Sequence, residues 1–316
     1  MSGLLALITL PAALTHWQHR PSEHPQTLFT LAPGPNTVFS SADIPTVSPD
    51  GQRVIFAAQG GDLRGRLWLR LLDSDVPQPL AGTQGGVSPF WSPDGRSFGF
   101  WAEGNLKRMD LPSGTAQTLC AAPQFGFGGG TWNERGDILF AAGSGPLFRI
   151  PAGGGEPAPV TALDTARQEF SHAWPSFLPD GRHFLYLVRS VRRENTSVVI
   201  GTLDSPEVRH LAAVESRAVY APTGHLLYVR EDVLTAQAFD VATMRMGPQT
   251  FQIAAAIGEN PGIGENPGTF AFSISRNNVL VYRTGTNLAQ RQLVWVNRAG
   301  QQIGTLGEPG DCGQPA

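Results

Sequence analysis

The sequence predicts an all-β chain, a β-propeller of about six four-stranded blades, complete or cut from a larger ring. Three observations carry this. A turn tetrad recurs about every 44 residues, and strand-length aromatic or β-branched runs flank each copy. Gly and Pro, 37 and 26 of 316 residues, are spread along the chain, and no stretch has helical periodicity.

The tetrads are SPDG at 48, SPDG at 92, NERG at 133, LPDG at 178, APTG at 221 and SISR at 273. The last interval is long because IGENPG at 257–262 is repeated at 263–268. A short run such as SPFW, GGTW or AVY leads into each turn, and one such as RVIFAA, SFGFWA, DILFAA or HFLYLV leaves it. A third strand follows (RLWLRLL, NLKRMDL, PLFRIPA, SVVIGTL), and then a fourth (AQTLC, VRHLA, QQIGTL). Four short strands per unit bounded by turn residues make a propeller blade.

Within the tetrad, Pro presets φ at the first central position, Asp bonds its own backbone, and Gly takes the positive φ that ends the turn. Asp50, Gly51, Asp94, Gly95, Asp180 and Gly181 are therefore read as structural turn residues joining the first two strands of a blade. In the sixth unit Asn277 or Asn278 stands in for Gly. Equivalent carboxylates of different blades lie around a ring, so the three aspartates are not expected to form a catalytic cluster.

Residues 1–26 read as an apolar leader and linker, and residues 27–316 as the propeller: six repeats and the start of a seventh. The leader, MSGLLALITLPAAL, is shorter than the roughly 20 residues of a bilayer span and is interrupted by Pro11. It reads as the tail of a transmembrane helix, hence a membrane tether, with a secretory signal or a soluble leader as the rivals. The strand TLFTLA, 27–32, is expected to help close the ring.

Net charge is −3, and Lys107 is the single lysine among 23 basic residues, so no phosphate-binding stripe exists and nucleic acid is excluded as a partner. Cys120 and Cys312 have no metal-type spacing. No cofactor or metal is expected, and one long-range disulfide stays open.

The tetrads, together with FWSPDGRSFGFWAEGNLKRMDL, GGTWNERGDILFA, HAWPSFLPDGRHFLYLV and LVWVNRAGQQIGTLGEPGD, resemble TolB-like, WD-related β-propeller repeats of bacteria. They are most similar to the extracytoplasmic C-terminal region of membrane-spanning bacterial serine/threonine protein kinases. The resemblance covers about 27–311 and implies an extracytoplasmic or periplasmic, membrane-anchored sensing module. It also implies a fragment, because the kinase domain is absent and the family continues into further repeats. An accessory propeller of a prolyl oligopeptidase-type hydrolase and a stand-alone periplasmic TolB-like protein are the alternatives.

No catalytic residue is assigned. HRD and DFG motifs are missing, GFGGG at 126–130 lacks the GK[ST] of a P-loop, and AAGSGP at 141–146 has the wrong spacing for GxSxG. GFGGG reads instead as a flexible connector between blades. The chain is expected to be a non-enzymatic module for a protein or small-molecule ligand. Connectors entering the inner strands line one channel mouth, which makes Phe125, Phe127, His172, Trp174 and Arg217 the candidate binding residues. His172 and Trp174 have a structural reading beside the binding one.

Overall fold

The computed structural model describes residues 30–34, 36–40, 44–60, 65–112, 114–122, 128–214, 216–257 and 270–284, and the strand backbone of 291–296 and 302–310. The chain divides into two units, Met1–Ala32 and Pro33–Ala316. Of the first, residues 30–32 are described and form no strand, so the closing role expected of TLFTLA is not found in its described part.

The second unit is a β-propeller. Blade 1 has β1 (Val38–Phe39) and β2 (Thr46–Val47) laid end to end on β3 (Arg53–Gln59), followed by β4 (Arg66–Leu71) and β5 (Gln78–Gln84). Blade 2 is β6 (Val87–Trp91), β7 (Ser97–Ala102), β8 (Asn105–Asp110) and β9 (Gln117–Ala121). Blade 3 is β10 (Gly130–Trp132), β11 (Asp137–Ala141), β12 (Leu147–Pro151) and β13 (Ala158–Pro159). Blade 4 is β14 (Glu169–Phe177), β15 (His183–Ser190), β16 (Ser197–Thr202) and β17 (Ser205–Ala212). Blade 5 is β18 (Ala218–Ala221), β19 (His225–Arg230), β20 (Val233–Asp240) and β21 (Arg245–Ala254). The sixth position holds a two-stranded sheet, β22 (Phe272–Ile274) with β23 (Leu280–Tyr282), and β24 (Arg291–Val296) pairs with β25 (Gln302–Gly310) in a separate sheet. One 3-10 turn, Arg193–Asn195, is the only helical element among the described residues.

The six turns share one geometry. In each, the N–H of the fourth residue donates to the C=O of the first: Gly51 to Ser48, Gly95 to Ser92, Gly136 to Asn133, Gly181 to Leu178, Gly224 to Ala221 and Asn278 to Ser275, at 2.9–3.3 Å. The fourth residue has φ between +63° and +85° in all six, a region open to Gly and tolerated by Asn. The sixth turn therefore runs over Ser275–Asn278, two residues later than the anchor SISR, because Asn278 takes the Gly position.

Period-2 alternation explains the core. On β11, Ile138 and Phe140 pack with Phe90, Trp101 and Leu106 of blade 2, whereas Leu139 and Ala141 pack with Phe184, Tyr186 and Val188 of blade 4. On β15, Leu185 and Leu187 turn to blade 5, and on β19 Leu227 and Val229 turn to Phe270 and Phe272. A strand buried on both faces reads as an unbroken apolar run, which is what SFGFWA and HFLYLV are. Each fully buried Phe or Leu contributes about 1.5–3 kcal/mol by leaving water.

The inner strands β2, β6, β10, β14, β18 and β22 contact one another in that order, and β22 returns to β2. The seam is polar. Ser273 Oγ donates to Pro45 O at 2.8 Å and accepts from Val47 N–H at 3.0 Å, while Asn277 Nδ2 donates to Asp50 O at 2.7 Å. Gly51 is fitted to this contact: a Cβ there would lie 2.2 Å from Asn277 Oδ1.

Candidate functional site

The inner strands enclose a central cavity of about 770 Å3. One end is ringed by turn residues, including Glu134, Arg135, Asp180 and Arg276. The other begins four residues before each of the first five turns, at Ile44, Ser88, Gly129, Trp174 and Arg217, all of which line it. Four strand residues separate the two ends by about 13 Å.

Arg217 is the one charged residue in that upstream layer. Its guanidinium carbon lies 5.7 Å from the ring centroid of Trp174 on blade 4 and 4.8 Å from that of Phe272 on blade 6. Its Nη2 donates to Phe272 O, and no carboxylate pairs with it among the described residues. Burial pulls its pKa down to about 10. Arg217 Nε and Trp174 Nε1 are buried N–H groups without an acceptor.

Trp174 is held by a bulge. Its φ is +56°, the register of β14 shifts between Ala173 and Ser176, and its N–H donates to Gly128 O at 2.5 Å. The glycine cluster makes this possible: a Cβ on Gly129 would lie 2.5 Å from Trp174 Cε3. The described glycines of GFGGG are thus places of close approach, where the sequence suggested only a flexible connector.

The candidates separate. Trp174 and Arg217 stand together in the channel. Phe125 and Phe127 lie outside the described residues. His172 does not line the cavity: it is buried against Tyr186, ring centroids 4.9 Å apart, with Nδ1 2.8 Å from Thr161 Oγ1 and Nε2 3.2 Å from Glu169 Oε2. Because Thr161 Oγ1 already accepts Leu147 N–H, the consistent tautomer places the proton on Nε2, donating to Glu169. Burial first, opposed by Glu169, lowers the His172 pKa.

The turn aspartates are occupied by their own turns. Asp94 Oδ1 accepts from Ser92 Oγ at 2.6 Å and from Arg96 N–H at 3.0 Å, and the Ser92 bond first, then the backbone, lowers its pKa. Asp50 makes the same bonds with Ser48 Oγ and Gln52 N–H, at 2.5 and 3.1 Å, and Asp180 takes Arg182 N–H, His183 N–H and the His183 ring. Among the described residues no group of three His, Cys, Asp or Glu could hold a metal, Cys120 is a buried free thiol, and no helix is long and apolar enough to cross a membrane. The leader and Cys312 lie outside the described residues.

Sequence reasoning missed Phe272, which the shifted sixth turn hid, and it missed the pairing of Glu134 with Arg276. The column four residues before each turn carries a cation only at Arg217, and Phe272 lies one position past that column in the sixth unit.

No protein-family model matches the chain, and no curated protein matches it. Solved structures do. TolB from Acinetobacter baumannii is 17% identical with a TM-score of 0.53, over 67% of this chain and 54% of TolB. The β-propeller domain of Cps50 (Swd1) from Myceliophteria thermophila is 13% identical with a TM-score of 0.51, over 87% of this chain and 89% of that domain. The chain thus spans about half of the TolB chain, and at these identities the likeness is one of fold.

Proposed function

We propose that this chain is a non-catalytic recognition module whose ligand enters the central channel. The observation that carries the reading is the Trp174–Arg217–Phe272 stack, three unlike side chains from three neighbouring blades at positions the repeat does not dictate. A turn tetrad repeats because the fold needs it, whereas in the column four residues before the turns a cation stands only at Arg217. Of the carboxylates that line the channel mouth, Glu134 pairs with Arg276 and Asp180 with His183.

The fuller reading places the module outside the cytoplasmic membrane as the sensing part of a serine/threonine kinase-type receptor, tethered by the apolar leader. The resemblance of the tetrads and their flanking strands to that family supports it.

A thermal-shift screen of a small-molecule library on the wild type and on Val219→Trp, a substitution that fills the channel, tests the recognition role. Ligands that stabilise the wild type and not the variant support it. Stabilisation unaffected by the substitution, or no stabilisation by any compound, contradicts it.

A further inference from the structure

We infer that the Arg217 end of the channel binds the carboxylate of a small molecule with a flat apolar body, an inference that rests on the channel being the recognition site. A guanidinium removed from water is costly unless an anion or a full set of acceptors compensates it. Here it receives two aromatic faces and one carbonyl, and no carboxylate lies within ion-pair distance among the described residues. The other charged groups lining the cavity, Glu134, Arg135, Asp180 and Arg276, all belong to turns at the far end.

Donor supply points the same way. Arg217 Nε and Trp174 Nε1 both lack acceptors, on adjacent blades, and a carboxylate has two oxygens and no hydrogen to donate. Arg217 is half-buried and lines the cavity, so the channel offers an anion a route to the exposed part of the side chain. Ile44, Phe90, Trp174 and Val219 line the same cavity with apolar surface, which suits an aromatic or branched body. A phosphate fits less well, because its two charges would meet a single cation.

Calorimetric titration of the whole chain with benzoate and with benzamide, its uncharged isostere, tests this. Benzoate is expected to bind the wild type at least about tenfold more tightly than benzamide, the range of a charge-assisted hydrogen bond. Arg217→Gln is expected to reduce benzoate affinity to that of benzamide, and Arg217→Lys to retain part of the preference. N-acetylphenylalanine, which carries the C-terminal carboxylate of a peptide, is the third ligand. Tighter binding than benzoate assigns the site to peptide termini, weaker binding to free acids, and both keep the carboxylate. Equal affinity for benzoate and benzamide, or no binding of benzoate, overturns the inference on the wild type alone, whatever the folding of the variants. Channel-dependent binding of neutral compounds without a benzoate preference overturns the carboxylate inference and leaves the recognition role standing.

Discussion

Arg276 Nη1 meets Glu134 Oε1 at 2.9 Å, and the two residues belong to turns of blades 6 and 3, opposite one another in the ring. The pair spans the turn-side mouth of the channel. Both side chains are more than half exposed, so the bond contributes little to stability, at most about 1 kcal/mol. Its position at the mouth predicts an effect on access. Glu134→Gln and Arg276→Gln are each expected to leave the melting temperature within about 2 °C and to raise the association rate of a channel ligand by about two- to fivefold, as measured by stopped-flow tryptophan fluorescence. A rise in one variant and a fall in the other would show electrostatic steering in place of a steric bar.

Gly129→Ala is expected to destabilise the protein by about 2–4 kcal/mol in urea unfolding. It adds a Cβ 2.5 Å from the Trp174 ring and places a side chain at φ +70°. Gly136→Ala has a positive φ of +85° but nothing within 4 Å of the added Cβ, so it is expected to cost only about 1 kcal/mol. Equal losses in the two variants would deny the close approach that seats Trp174.

Acid stability follows from three turn aspartates and from Asp110 at the end of β8. Asp50, Asp94, Asp110 and Asp180 all have pKa values below the ordinary aspartate value of 3.8 in the folded chain. A depressed pKa contributes stability that is complete above the unfolded value and is lost as pH falls through the folded one. Thermal melting is therefore expected to fall steeply below about pH 4, and Asp94→Asn to make that fall shallower while leaving the neutral-pH fold in place.

His172 adds a step at higher pH. Its folded pKa is below 6.5, so the unfolded chain takes up a proton first as pH drops. Stability is complete above about pH 6.5 and declines from there as pH falls towards the folded value. In His172→Gln the slope of stability between pH 6.5 and 5 is expected to flatten. An unchanged slope would mean that His172 is not the group responsible.

Much of the fold is legible in the sequence because a propeller writes one unit many times. The glycine at positive φ in five turns, and Asn278 in the sixth, follow from a single rule about left-handed backbone, and the apolar runs of β7 and β15 follow from burial on both faces. The seam is less legible. Ser273 and Asn277 bond to main-chain groups of residues 45–50, and nothing local marks a partner more than 220 residues away. The site is legible only in part for the same reason. Trp174 and Arg217 are visible as connector residues, but the equally plausible His172 is turned into a buried network with Thr161 and Glu169. Which way a side chain leaves a bulged strand depends on the local backbone, and the register shift in β14 that sets Trp174 at φ +56° has no signature in AWPSF.

The central claim is that recognition takes place in the channel beside Trp174. Fluorine NMR of the protein labelled with 5-fluorotryptophan, with Trp174→Phe used to assign the resonance, tests it most directly when the sample is titrated with a compound that stabilises the fold. The Trp174 signal is expected to shift with saturation, while that of Trp68, on β4 away from the cavity, stays in place. A saturating shift at Trp68 with Trp174 unmoved would contradict the account.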